Sequence, residues 1–178
     1  NGVLLQCVFE KNCFNSNAVM GSFEDICSKY GNTLFKIVPN LQSNKIIDIK
    51  KTWCFGLDVS HQKGKPSTCM LCLQTQPLIG SLKGCYFSCH LNIAKTDVVP
   101  ILAIVKMVYE CLNKAKKDKQ KPAKTILFFR DGLADSQLIE CYTKEVNGFL
   151  RGIHEFNKKH NIDWKPSIMY IVSVKNII

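Results

Sequence analysis

No apolar run in these 178 residues approaches the roughly 20 needed to cross a bilayer as a helix. No charged leader with an apolar stretch and a small-residue cleavage site is visible at the start either. A membrane span and a secretory signal are therefore not expected. Acidic residues are scarce: 14 Asp and Glu stand against 24 Lys and Arg, a formal charge of +10. Such an excess attracts polyanions and makes nucleic acid the leading partner class. The chain is long enough for one sizeable core and part of a second domain. It begins at Asn1 and stops inside what reads as a strand, so a fragment of a larger protein is expected.

Cysteine is not scarce, with ten residues. Cys7, Cys27, Cys54, Cys111 and Cys141 sit within apolar patterns, which predicts buried free thiols rather than a disulfide scaffold. Cys69 and Cys72, followed by Cys85 and Cys89, have the spacing of four zinc ligands. Both pairs fall in predicted strands, however, where residues three apart face opposite ways. A zinc-bound structural module stays as a rival reading.

The stretch from Trp53 to His61 reads as an apolar strand that delivers one carboxylate, Asp58, into a loop of Lys, Gly and Pro. The arrangement recurs where residues 125–129 run into Arg130-Asp131-Gly132. A carboxylate flanked by apolar residues is costly to desolvate without a cation beside it. Two such strands suggest a shared metal or phosphate-handling site, while each Asp alone also suits a turn.

Upstream, residues 4–9 read as a strand, Ser22 as the N-cap of a helix ended by Gly31, residues 34–38 as a strand and 39–51 as a connector. The best internal boundary is at 51/52, dividing the chain into 1–51 and 52–178. Beyond Asp58, strands at 68–73 and 85–91 are joined by short connections and should be antiparallel neighbours. Thr96 or Asp97 is the expected cap of a helix whose buried face carries Ile101, Ile104, Val105, Val108 and Leu112. Six lysines between Lys114 and Lys124 read as its solubilising end, with a nucleic-acid patch as the alternative. Residues 125–129 lack polar alternation, which predicts a central strand covered on both faces. A long helix over 134–159, with Leu138, Tyr142, Val146, Phe149, Ile153 and Phe156 as its stripe, leads to a last strand near Ile168. The fold class is α/β, a mixed sheet with flanking helices. Crossover helices make the last three strands parallel, and Asp58 and Asp131 lie side by side if their strands are adjacent.

The motifs resemble the Argonaute/Piwi family over nearly the whole chain, as the end of a MID domain (1–51) followed by the N-terminal part of a PIWI domain (52–178). Gly56-Leu57-Asp58-Val59-Ser60-His61 is similar to the family's Gly-x-Asp-Val-x-His stretch, and Lys65-Pro66-Ser67 to its Lys-Pro-Ser. Phe129-Arg130-Asp131-Gly132-Leu133 with Ser136-Gln137 resembles its Tyr-Arg-Asp-Gly-Val…Gln signature. Glu145-Val146, and Pro166 through Lys175, fall where the family has a Glu-Val pair and its next strand.

The resemblance implies a truncated ribonuclease-H-like fold and small-RNA-guided binding of complementary target RNA in gene silencing. For slicing members of the family it further implies metal-dependent cleavage of the target, which here would be a property of the full-length parent and not of the fragment. Asp58 and Asp131 match two acids that hold Mg²⁺ or Mn²⁺, with Asp97, one methylene shorter and one position displaced, in place of the family's glutamate finger. The final ligand, His or Asp, is expected beyond Ile178, so the fragment alone is expected to be inactive. Gln6, Lys11 and Lys29 match the pocket for a guide 5′ phosphate, although a family lysine before Lys29 falls at Asp25. Arg130, His61 and Lys65 are expected to contact the nucleic-acid backbone or support the site. For Arg130 the alternative is a pair across the sheet, and for His61 a loop-anchoring hydrogen bond. Silencing scaffold proteins are further implied partners of a monomeric protein in the cytoplasm or nucleus. The competing readings are a guide-binding protein that does not cleave and another nuclease of the same fold.

Overall fold

The computed structural model describes residues 48–76, 84–92 and 96–174. A 3-10 turn at Ile49–Lys51 leads into β1 (Thr52–Ser60), followed by β2 (Ser67–Gln74) and β3 (Cys85–Asn92). Helix α1 (Ile101–Lys117) precedes β4 (Thr125–Leu133). A 3-10 turn at Asp135–Gln137, α2 (Leu138–Cys141), a π-helical segment (Tyr142–Val146) and α3 (Asn147–His160) then form one continuous rod, and β5 (Ser167–Val174) closes the order.

The sheet order is β3-β2-β1-β4-β5. β1, β2 and β3 form the antiparallel meander, while β4 pairs parallel with both β1 and β5. The connection through α1 thus carries the chain from the sheet edge at β3 back beside β1. This puts Asp58 and Asp131 at the ends of adjacent parallel strands, each one residue past the last ladder pair, Leu57 with Arg130.

Period-two alternation sorts the strands into two faces. Trp53, Phe55 and Leu57 of β1, Leu71 and Leu73 of β2, and Ile126 and Phe128 of β4 enter one buried cluster with α1 and α3. Phe128 sits at its centre, 4.3 Å from the Tyr170 ring, 4.8 Å from Phe149 and 6.0 Å from Phe55 between centroids. Fully burying such a side chain contributes about 1.5–3 kcal/mol, and each good aromatic pair adds about 0.5–1.5 kcal/mol.

β4 is central, as its apolar run predicts, but it is covered on one face only among the described residues. Phe129 is 46% exposed, and Met70, Phe87, Met169 and Ile171 are also exposed. The physical reason is that both crossover helices pack on the same side, leaving the alternate residues of every strand without a helical layer. β4 also outlasts its apolar stretch, running through Arg130 and Asp131 to Leu133 with a register irregularity after Arg130. Gly132 takes a φ of 78° at that irregularity, where a side chain would be strained.

The cap of α1 is Pro100, not Thr96 or Asp97. The Pro100 carbonyl accepts from Ala103 and Ile104, and the Asp97 carboxylate is engaged elsewhere. The stripe expected over 134–159 is rotated in its first half: Leu138 is exposed and Tyr142 is 65% exposed, while Cys141 and Glu145 are buried. The wider π turn shifts the helical phase between these residues and Phe149. Downstream the phase is as expected, with Phe149, Ile153 and Phe156 in the core. Gly148 and Gly152 let α3 close on α1: a methyl at Gly152 would lie 2.8 Å from the Val108 Cβ, and one at Gly148 3.0 Å from the Ile101 carbonyl. No helix of the described residues is long and apolar enough to cross a membrane.

Candidate active site at the ends of β1 and β4

Leu57 faces Arg130 in the β1–β4 ladder, and both side chains turn to the helix side and are buried. The next residue on each strand is an acid. Asp58 and Asp131 therefore emerge together on the opposite face, where both are exposed and line a depression of 460 Å³ that also includes Ser60, Met70, Phe129 and Ile171. Asp58 accepts a hydrogen bond from the Val59 amide at 2.8 Å. Among the described residues neither acid has a salt-bridge partner. Two adjacent carboxylates repel unless a cation neutralises them, so this pair has the chemistry of a bidentate cation ligand from two strands. No group of three His, Cys, Asp or Glu suited to a metal ion occurs among the described residues.

Beneath the acids lies a buried ion pair. Arg130 is 2% exposed and Glu145 is 0% exposed. The Arg130 Nε donates to Glu145 Oε2 at 2.9 Å, while its two terminal nitrogens donate to the backbone carbonyls of Asp131 and Asp97. Glu145 Oε1 accepts from the Val99 amide at 2.8 Å, and Oε2 also accepts from the Tyr170 hydroxyl at 3.2 Å and the Cys141 thiol at 3.4 Å. Burial and the Glu145 charge push the Cys141 thiol up to about 12 and raise the Tyr170 phenol, so both remain protonated donors. One carboxylate thus ties the π segment, the entry of α1, β4 and β5 into a single support under the acidic pair. The guanidinium of Arg130 is spent on Glu145 and two backbone carbonyls inside the protein.

The third cluster closes the loops. His61 contacts the Ser67 hydroxyl through Nδ1 at 2.7 Å and Asp97 Oδ1 through Nε2 at 2.6 Å. The other Asp97 oxygen accepts from Gln137 Nε2 at 2.8 Å, and Gln137 in turn holds the Ala134 amide at 2.9 Å. His61 follows Asp58 by three residues and Gln137 follows Asp131 by six, so Asp97 is drawn to the end of the sheet that carries both acids. Both oxygens of its carboxylate are engaged. Lys65 lies exposed in the loop between β1 and β2. Gln6, Lys11, Lys29 and Asp25 lie outside the described residues.

The zinc reading fails on geometry. Cys69 is fully buried on the helix side, whereas Cys72 and Cys89 alternate to the other face of the sheet, and the four thiols cannot converge. Glu145 is the buried hub of the site, and no motif at its position assigns it that role. A signal for it existed: Cys141, Glu145 and Phe149 recur every four residues, which places a carboxylate on a buried stripe where only a cation would compensate it.

The Piwi domain family model matches residues 1–177. A comparison with curated proteins finds no match. Among solved structures, the chain is similar to Kluyveromyces polysporus Argonaute with a guide RNA, at TM-score 0.63 and 19% identity over 92% of this chain and 19% of that one. It is similar to the C-terminal lobe of a budding yeast Argonaute, at TM-score 0.58 and 18% identity over 77% of this chain and 28% of that one. Drosophila Piwi aligns at TM-score 0.55 and 16% identity over 91% of this chain and 20% of that one. The chain therefore spans less than a third of the length of these structures. Their likeness agrees with the ribonuclease-H-like mixed sheet expected from the motifs, and with the family model matching almost end to end, the chain belongs to the Piwi domain family.

Proposed function

We propose that the parent protein binds target RNA through a small guide RNA in gene silencing, and that Asp58 and Asp131 are acids of a metal-dependent endonuclease site. The observation that carries this reading is two exposed carboxylates at the ends of adjacent parallel strands, neither with a salt-bridge partner among the described residues. Such a pair would hold Mg²⁺ or Mn²⁺, which in phosphodiester hydrolysis positions water and stabilises the leaving oxygen. The residues of this chain orient the site: Arg130 and Glu145 fix the ends of β4 and α1 from below, and His61 fixes the loop after β1. Asp97 is the third acid of the proposal, held at the same end of the sheet by His61 and Gln137. The basic excess supports backbone contacts with RNA, with Lys65 on the loop beside Asp58, and Gln6, Lys11 and Lys29 as the proposed guide-phosphate residues. We assign 1–51 to the end of a MID domain and 52–178 to the PIWI domain, in a protein that works in the cytoplasm or nucleus alongside silencing scaffold proteins.

A second reading, guide-directed binding without cleavage, is favoured by one observation. Both carboxylate oxygens of Asp97 are engaged, and no three-ligand group forms among the described residues. The deciding experiment loads the full-length parent with a 5′-phosphorylated guide and a labelled complementary RNA, in Mg²⁺ or EDTA. A single metal-dependent cut that Asp58→Ala and Asp131→Ala both abolish establishes cleavage. Retained guide-directed binding with no cut establishes the second reading.

A further inference from the structure

Helices α1 and α3 run back along the sheet, so both end where β1, β4 and β5 begin. The Lys124 amide donates to the Lys51 carbonyl at 2.8 Å and the Ser167 amide to the Lys124 carbonyl at 2.9 Å, which sets the three strand starts in one row. His160, closing α3, meets the Asn113 side chain at 2.6 Å, and Trp164 Nε1 donates to the Ala123 carbonyl at 2.7 Å. Asp58 lies six residues along β1 from Thr52, about 20 Å from this pole.

Exposed lysines gather at the pole: Lys116, Lys117, Lys119 and Lys121 around the end of α1, and Lys158 and Lys159 at the end of α3. None of the six has a salt-bridge partner among the described residues, whereas cations elsewhere on the helices do, Lys144 with Glu140 and Arg151 with Glu155. Compensation of the helix dipole accounts for the last turns, but Lys119 and Lys121 stand beyond α1. Lys119 takes a φ of 55°, a left-handed conformation that favours glycine, so a lysine stands there against the backbone preference. Burial, then the charges of Lys116 and Lys159, hold the His160 imidazole below its ordinary value, so the two helix ends share one positive field.

We infer that this pole is a second RNA-binding surface, which holds the phosphate backbone of a strand outside the guide–target pairing. Among the described residues its cations are lysines and His160, with no arginine. A lysine ammonium is a compact charge that meets phosphate oxygens from any direction, whereas paired recognition of carboxylates favours the arginine fork, so a nucleic acid fits better than an acidic peptide. A lipid surface needs an apolar face to insert, and Ile162 is the large apolar side chain exposed along 113–124 and 156–165. Only the choice of RNA as the polyanion rests on the function proposed above.

The test uses the full-length parent carrying a guide already paired to its complement, so that guide-directed binding is saturated. A labelled non-complementary single-stranded RNA is titrated in by fluorescence anisotropy at about 50 to 200 mM salt. The variant combines Lys117→Gln, Lys119→Gly and Lys121→Gln, with glycine suiting the left-handed position. The wild type should bind this RNA, and the variant should bind it about tenfold more weakly at the low-salt end. The slope of log affinity against log salt should fall by about 2, three phosphate contacts at about 0.7 each. Guide-directed binding of a complementary strand should be the same in both proteins. If the wild type shows no guide-directed binding while the variant still loses the non-complementary RNA, the function proposed above fails and this surface stands. Equal affinity and slope in the two proteins, a wild type that does not bind non-complementary RNA, or poly-glutamate bound as tightly as the RNA, overturns the inference.

Discussion

Arg130 and Glu145 meet at 2.9 Å with both side chains sealed from solvent, one residue before an exposed acid on β4 and in the middle of a π turn. A buried pair of this kind is costly to assemble and costlier to break, because removing one partner strands the other charge. Glu145→Ala should therefore destabilise the fold by about 3–5 kcal/mol in urea denaturation, and Arg130→Met by a similar amount. The double variant Arg130→Met with Glu145→Leu should recover much of either loss. A double variant as unstable as the sum of the singles would show that the pair is not one unit.

The contact between α1 and α3 sets a second expectation. Gly152→Ala places a methyl 2.8 Å from the Val108 Cβ and 3.2 Å from the Val105 carbonyl, so the helices must separate or Val108 must move. Overpacking of this kind costs about 1–3 kcal/mol. Gly56→Ala, whose added methyl meets nothing within 4 Å, is the matched comparison and should change stability far less. Thermal denaturation of the two proteins decides it.

Alkaline pH should unfold the protein in a defined window. Burial pushes Cys69 up to about 11 and Cys111 and Cys141 up to about 12 from an ordinary 9.0, and Tyr86 to about 12 from 10.0. A group whose folded value is raised favours its protonated form in the native state. Its stabilisation is complete below the unfolded value and is lost as pH climbs towards the folded one. Melting temperature should thus hold to about pH 9 and fall from there to about pH 12. Cys111→Ala should flatten that decline while lowering the plateau at neutral pH, through the lost contact volume.

The acidic pair should respond to divalent ions. Without them, Asp58→Asn relieves like-charge repulsion between the ends of adjacent strands and should raise stability slightly, by about 0.2–1 kcal/mol. With millimolar Mg²⁺ the wild type should gain in melting temperature and Asp58→Asn should not, reversing their order. An equal response of both proteins to Mg²⁺ would remove Asp58 from the cation site.

Much of this molecule was legible in sequence because its elements obey simple periodicities. The strand before Asp58, the meander to β3 and the α1 face follow from alternation and helical spacing, and the crossover rule makes β4 and β5 parallel, while the adjacency of β1 and β4 is seen only in the structure. The parts that were not legible are those where one long-range contact overrides local pattern. Glu145 is buried because Arg130 waits across the core, and Tyr142 is exposed because the π turn that delivers Glu145 rotates its neighbour outward. Asp97 looks like a helix cap by position, yet its carboxylate is claimed by His61, 36 residues earlier, and Gln137, 40 residues later. Phe129 looks like a doubly covered residue because periodicity does not say on which side a crossover helix will pack.

The parallel ladder between β1 and β4 has a metric consequence. Neighbouring strands stand about 4.8 Å apart by the length of a peptide hydrogen bond, whatever side chains they carry. The interval between the backbones of Leu57 and Arg130, the last pair of the ladder and the residues just before the two acids, is therefore a ruler built from main-chain geometry. Substitutions in the surrounding loops can reshape access to the acids, and a substitution at either acid can delete a carboxylate, but neither can rescale the gap. Retuning the site to an ion of different radius would have to come from the side chains that complete it.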